Sequence, residues 1–252
     1  MAKVFIGVGH GGNDPGAVGY LVEKDVNLEM AKACRDYLVK HGVNVMMSRT
    51  KDENDRIDEE IRECNTYNPD LAVDVHNNAG GGDGFEVICS VIGTASRKLA
   101  ENIEKEVKKI GQNSRGIKTR TNDSGSDYFG FIRSTRCPAV ICEGVFVDNK
   151  VDIRGLNCKL FGEAYAKGIL ATLGKTENKK TDTKKTENKK TGPYKVKVTA
   201  NALNIRNGAS VDHKIVGCIT NKGVYTIVEE KNGWGKLKSG AGWINLKYTK
   251  KV

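Results

Sequence analysis

Lys3-Val4-Phe5-Ile6-Gly7-Val8-Gly9-His10-Gly11-Gly12-Asn13-Asp14-Pro15-Gly16 decides how this chain folds. Its first half, Lys3–Val8, is a short apolar run that reads as a buried strand. Its second half is a glycine-rich turn that can continue neither as strand nor as helix. Gly7, Gly9 and Gly12 have the spacing of a dinucleotide-binding loop, and Arg49 lies near the end of the next strand, where such an enzyme can hold a phosphate. That loop requires a helix to open within the glycines, so that its N-terminus meets the pyrophosphate. Here Asn13-Asp14-Pro15-Gly16 intervenes and helical periodicity waits until Asp25. A nucleotide site, and with it a nicotinamide oxidoreductase, is therefore the weaker reading.

The pattern repeats outward from this stretch. Asp25–Lys40 is helical, with Val26, Met30, Ala33, Tyr37 and Leu38 on one stripe, Asp25 as N-cap and His41-Gly42 as the stop. Val43–Met47 is a strand, Asp55–Tyr67 a helix, and Leu71–Val75 and Phe85–Cys89 are strands. Ser96–Ile110 is a helix with Leu99, Ile103, Val107 and Ile110 aligned, Ala139–Cys142 a buried strand, and Leu156–Leu173 a closing helix. This order predicts an α/β domain over residues 1–174, a mostly parallel sheet flanked by helices.

Within it, His10 and His76 follow strands, at the sheet end where open α/β folds bind ligands. Two such histidines are candidate metal ligands, and a carboxylate could complete the set. His41 and His213 read as surface residues. Glu143 lies in the apolar run Cys137–Val147, where a charge is costly to bury unless paired. It reads either as half of a buried ion pair or as a site acid. Glu23 by itself reads as a surface acid before a helix, and Asp52–Glu63 as a solvated helix face.

The 252-residue chain carries a formal charge of +10, distributed unevenly. Residues 1–174 are net −2, residues 175–192 net +4 and residues 193–252 net +8. The middle segment has no apolar residue and repeats Thr-Glu-Asn-Lys-Lys-Thr at 176–181 and 186–191, so it reads as a flexible linker. The last segment alternates short β-rich runs (Lys195–Val198, Val224–Val228, Gly235–Lys238, Gly242–Ile244) with Gly, Asn and Asp turns, the pattern of a small β-barrel. Its basic charge favours an anionic partner. No nucleic-acid recognition motif accompanies it.

No run is long and apolar enough to span a membrane. The N-terminal segment enters the fold without a secretory signal, which predicts a protein made in the cytosol. Seven cysteines without a Cys-x-x-Cys pair read as buried free thiols rather than disulfides or a zinc ribbon.

Five elements in order then carry a resemblance. They are Gly9-His10-Gly11-Gly12-Asn13-Asp14-Pro15-Gly16-Ala17; Glu23-Lys24-Asp25-Val26-Asn27-Leu28; Ser48-Arg49-Thr50; Asp74-Val75-His76-Asn77-Asn78-Ala79; and Glu143-Gly144-Val145-Phe146-Val147-Asp148-Asn149. Residues 1–174 resemble the zinc-dependent N-acetylmuramoyl-L-alanine amidases of the autolysin and phage-endolysin type. The resemblance implies the zinc amidase fold, a Zn2+ ion held by His10, Glu23 and His76, Glu143 as catalytic acid/base, and Glu86 near the substrate. Two departures stand beside the ligands: Val8 where the family usually has an acid, and Asp74-Val75-His76-Asn77-Asn78 for the usual Ser-Ile-His-Ala-Asn.

Residues 193–252 resemble a bacterial SH3 domain through Ala202–Ser210, Val216-Gly217, Asn232-Gly233-Trp234-Gly235-Lys236-Leu237 and Gly242-Trp243-Ile244-Asn245. The whole is then expected to be a peptidoglycan hydrolase whose SH3-like barrel attaches to the wall of a Gram-positive host. Its partners would be peptidoglycan and anionic wall polymers, with no nucleic acid and no membrane span. Without an export signal it would act, as a phage endolysin does, on the wall after release from the host cytoplasm. The rival reading is a wall-binding protein that has lost catalysis.

Overall fold

The computed structural model describes residues 1–175, 193–210, 213–231 and 233–252. The chain divides into two compact units, Met1–Asn178 and Lys179–Val252. Apart from Lys175, the segment read as a linker, with both copies of its repeat, lies outside the described residues, as does Asn232 of the tail motif.

The first unit holds one six-stranded sheet. In chain order its elements are β1 Lys3–Val8, α1 Glu23–Lys40, β2 Asn44–Met47, α2 Ile57–Tyr67, β3 Leu71–Asn78 and β4 Phe85–Cys89. There follow α3 Thr94–Lys109, β5 Ser114–Lys118, α4 Gly130–Ser134, β6 Ala139–Phe146 and α5 Cys158–Thr172. The strands lie in the order β2-β1-β3-β6-β4-β5. β2, β1, β3 and β6 pair in parallel, β4 pairs antiparallel to β6, and β5 is parallel to β4. The sheet is thus α/β and mostly parallel as expected, but mixed: the short connection from β3 to β4 cannot carry a crossover helix, so the chain reverses there.

α1, α3 and α5 cover one face over Val4, Ile6, Val8, Val73, Val75, Val87, Val140 and Cys142. The buried side of α1 is Val26, Met30, Ala31, Cys34 and Leu38, while Ala33 and Tyr37 of the expected stripe are only partly covered. The reason is α5. A Cβ on Gly162 would stand 2.3 Å from the Met30 carbonyl oxygen and 2.7 Å from the Cys34 nitrogen, so the two helix backbones meet where α5 has no side chain. A second cluster on the other face joins Phe5, Cys64, Ala72, Phe131, Ile132 and Ile141 beneath α2 and α4. All seven cysteines are free, and four of them are buried.

α1 begins at Glu23, two residues before the expected start, and no side chain caps it. The glycine turn takes that role instead: Glu23 N donates to the Ala17 carbonyl (2.9 Å) and Lys24 N to that of Pro15 (3.2 Å). Asp25 is therefore not the N-cap, and Glu23 sits inside the first turn.

The second unit is an antiparallel sheet of β7 Tyr194–Val198, β8 Leu203–Arg206, β9 Ile215–Ile219, β10 Val224–Lys231, β11 Trp234–Leu237, β12 Trp243–Asn245 and β13 Thr249–Lys251. The strands are ordered β13-β7-β10-β11-β12-β8-β9. They close over Val196, Val198, Leu203, Ile219, Ile227, Leu237 and Ile244. Trp234 is buried and packs, while Trp243 is half-buried beneath the Lys236 ammonium. No described helix is long and apolar enough to cross a membrane.

Candidate metal centre

The parallel strands deliver their C-terminal ends to one edge of the sheet, and the polar residues gather there. β1 ends at Val8, and the next turn brings His10 round in a left-handed conformation (φ 64°). β3 runs three residues past its expected end, so His76 lies within the strand rather than after it, and β6 likewise runs on to include Glu143. His76 and Glu143 are register partners on neighbouring parallel strands and so share a face. The glycines of the first turn serve this crowding. A Cβ on Gly9 would stand 2.1 Å from the His76 ring, and one on Gly16, at φ 64°, 2.6 Å from a Glu23 carboxylate oxygen.

Glu23 is the centre of the cluster. Far from being a surface acid, its side chain is only 5% exposed. His10 Nε2 lies 3.3 Å from Glu23 Oε2 and His76 Nδ1 lies 3.0 Å from Glu23 Oε1. The Ala17 and Asn77 backbone N–H groups donate to the same carboxylate. One donor atom from each of His10, Glu23 and His76 lies within 4.8 Å of the others. Burial opposes the charge on Glu23, yet hydrogen bonds to both histidines hold its carboxyl far below the usual range. The bond to Glu23 raises His10. Burial pulls His76 down, but Asp74 and Glu23 outweigh it and leave the ring well above its ordinary value.

Two imidazole nitrogens and a carboxylate oxygen are a zinc-type donor set, and a tetrahedral ion with bonds of about 2.1 Å places its ligands about 3.4 Å apart. The histidine–carboxylate spacings, 3.3 Å to Oε2 and 3.0 Å to Oε1, are close to that, with one donor atom of each residue within 4.8 Å of the others. The residues present thus fit a metal and leave a fourth position open.

Glu143 faces the cluster but does not join it. Its Oε2 is buried without a hydrogen-bond partner among the described residues. Burial pushes its carboxyl up to about 7, against the pull of His76. Among the described residues no Lys or Arg forms an ion pair with it, so the ion-pair alternative finds no partner there. Glu86, its register partner on β4, accepts from Asn78 Nδ2 (3.1 Å) and Arg115 Nε (2.8 Å). It is close to the site but already engaged.

Several residues that hold the site escape the sequence reading. Arg49, 2% exposed, donates to the carbonyls of Val8 (3.0 Å), Gly9 (3.3 Å), Lys24 (2.8 Å) and Lys51 (3.2 Å). It staples the glycine turn to α1, with all three guanidinium nitrogens engaged by backbone carbonyls. Asn27 Nδ2 donates to the Gly9 carbonyl, Asn77 Nδ2 to Asn27 Oδ1, and Val145 N to Asn77 Oδ1, so one amide chain ties the turn, α1, β3 and β6 together. Glu60, within the acidic run expected to face solvent, is turned inward and 4% exposed. A cleft of about 790 Å3 opens beside His10 and His76 and is lined further on by Asn54, Ile57, Phe129 and Phe131.

Comparison with known proteins follows this geometry. Residues 4–175 match the family model described as N-acetylmuramoyl-L-alanine amidase. The sporulation-specific N-acetylmuramoyl-L-alanine amidase of Bacillus subtilis (strain 168) is 33% identical over 209 residues, covering 81% of this chain and 79% of that protein. The endolysin of Bacillus phage SPP1 is 33% identical over 188 residues, 69% of this chain and 67% of its own. Among solved structures, the catalytic domain of the N-acetylmuramoyl-L-alanine amidase CwlV from Bacillus (Paenibacillus) polymyxa var. colistinus aligns with a TM-score of 0.62 at 27% identity. That match covers 69% of this chain and 99% of that one.

Proposed function

This chain belongs to the N-acetylmuramoyl-L-alanine amidase family, and from that premise we propose that it is a zinc-dependent peptidoglycan hydrolase of the endolysin type. It cuts the amide between N-acetylmuramic acid and the L-alanine of the stem peptide. The observation that carries the reading is the convergence of His10, Glu23 and His76 on one point, with the unpartnered Glu143 carboxyl on the adjoining strand.

His10, Glu23 and His76 would hold the zinc. When bound there, zinc polarises the scissile carbonyl and makes a water acidic enough to attack near neutral pH. Glu143 Oε2 accepts a proton from the attacking water and returns it to the amide nitrogen, so that water adds across the C–N bond and the alanine leaves as an amine. A carboxyl lifted to about 7 is suited to both halves of that transfer, because it neither holds nor releases the proton too strongly. Arg49 and the Asn27–Asn77 pair keep the turn and strands in place while this happens. The cleft beside the histidines offers room for the neighbouring sugar or peptide units.

The antiparallel unit acts as an SH3-like anchor to the wall. Support comes from the tail motifs and from the net charge of +8 over residues 193–252, suited to anionic wall polymers. Joined by residues 175–192, anchor and enzyme raise one another's local concentration on the polymer. The lytic phage role, with synthesis in the host cytoplasm and action after release, is favoured by the likeness to a phage endolysin.

Digestion of purified Gram-positive walls tests the bond assignment. New amino termini labelled as alanine are expected. New reducing sugar ends, or other amino termini, would overturn it. Chelation followed by zinc add-back should abolish and restore lysis.

A further inference from the structure

Each of the two histidines uses both ring nitrogens. One nitrogen of each faces Glu23. The other faces an aspartate: His10 Nδ1 lies 2.8 Å from Asp14 Oδ2, and His76 Nε2 lies 3.2 Å from Asp74 Oδ2. The two aspartates differ sharply in setting. The Asp14 side chain is 64% exposed, on the turn itself, whereas that of Asp74 is 2% exposed, inside β3.

The fold builds a specific place for Asp74. It stands two residues before His76 on the same face of β3, and its register partner on β1 is Gly7. A Cβ on Gly7 would fall 2.7 Å from Asp74 Oδ1 and 1.9 Å from Glu60 Oε1. The space above Gly7 is therefore filled by two carboxyl groups from neighbouring elements, and any larger residue at position 7 would expel them. Neither Asp74 Oδ1 nor Glu60 Oε1 has a hydrogen-bond partner among the described residues. Burial, together with the charge of Asp74, raises the Glu60 carboxyl well above its ordinary range. Glu60 of α2 thus shares the space above Gly7 with Asp74, and Asp74 lies against His76.

We propose that Asp74 is the positioning residue of the metal centre, accepting a hydrogen bond from His76 Nε2–H so that Nδ1 is left free and aimed at the ligand position beside Glu23, while Gly7 and Glu60 hold Asp74 in place. The inference rests on the reading of His10, Glu23 and His76 as the zinc site. A carboxylate on the far nitrogen fixes ring orientation and makes the near nitrogen a stronger donor. A buried carboxylate does this better than an exposed one, because water competes with Asp14 but not with Asp74.

Zinc affinity decides the matter, measured on the full chain by competition with a chromophoric chelator. The visible absorption of the Co2+-loaded protein serves as a second readout of ligand geometry. Asp74→Ala is expected to weaken zinc binding about 10- to 100-fold and to change the Co2+ spectrum, whereas Asp14→Ala weakens it about threefold or less. Circular dichroism of the metal-free proteins separates this loss from unfolding. Should Asp74→Ala fail to fold, the isosteric Asp74→Asn carries the test, with an expected loss of about fivefold or more from removal of the charge. Affinity within about twofold of the parent in the folded variant, with an unchanged Co2+ spectrum, would overturn the role of Asp74 and leave the zinc site standing. Absence of zinc binding by the parent chain would overturn both.

Discussion

Residues 1–175 bury Glu23, Asn27, Arg49, Glu60, Asp74 and Asn77 around one end of a sheet, whereas the described residues of the antiparallel unit bury only apolar side chains such as Val196, Leu203, Ile227 and Ile244. Both units have a continuous apolar core, so the contrast is not one of stability. Burying a polar or charged side chain costs several kcal/mol unless it finds a partner, and a buried ion pair often stabilises no more than an apolar replacement. The α/β unit accepts that cost at the place where strand ends, the glycine turn and the start of α1 converge. The antiparallel unit keeps its charge outside and uses its core only to hold a shape. Chemistry is concentrated in the first, and net positive charge in the second.

The largest effect that could break this contrast is at Glu143. Glu143→Gln should lower wall hydrolysis about 10²- to 10⁴-fold while zinc remains bound, as metal analysis of the purified variant would show. His10→Ala should lose the metal itself. Equal zinc loss in the two variants would erase the distinction between ligand and proton carrier.

Next comes the core of the antiparallel unit. Ile227 is fully buried, and Ile227→Ala should destabilise that unit by about 2–5 kcal/mol. Hydrolysis of a soluble muropeptide should be unchanged, and a parallel fall in rate would show that the units are not functionally separate. Asn77→Ala is expected to cost about 1–3 kcal/mol, because it strands the Val145 N–H and Asn27 Oδ1. Urea unfolding followed by circular dichroism in the helical band, which the helices of the α/β unit supply, would report it, and a neutral outcome would mean the amide chain is ornamental. The smallest effect sharpens the charge assignment. Added salt should weaken wall attachment of the full chain much more than that of residues 1–174, since screening acts on exposed charge. Sedimentation with purified walls at low and high salt would measure it, and equal salt responses would refute the division.

Much of the frame was legible in residue order. Lys3–Val8 and Phe85–Cys89 are strands over the range their apolar runs suggest, and His10 and His76 meet as their strand-end positions imply. β5 and α4 were not legible. Ser114-Arg115-Gly116-Ile117-Lys118 is short, charged and broken by glycine, and it survives as a strand because it lies at the sheet edge beside β4. Gly130–Ser134 is a little over one turn, too short to show a period. β3 runs past its expected end: His76-Asn77-Asn78 lacks strand propensity, but central strands pair regardless of propensity when both neighbours are present.

By itself, then, the sequence determined the alternation of strand and helix, the α/β class of residues 1–174, the β-rich character of the tail, and where the net charge lies. These depend on local period and composition, which each short window carries within itself. Beyond Glu23 and Glu143, which the resemblance implies, only the tertiary structure decided which of many acids are buried at the site. Glu23, Glu60 and Asp74 look alike in sequence to their exposed neighbours, yet each is buried because a strand end, a glycine without a Cβ or a helix start comes against it from residues far along the chain. Period tells which face a side chain takes. Depth and partner are set by what packs against that face.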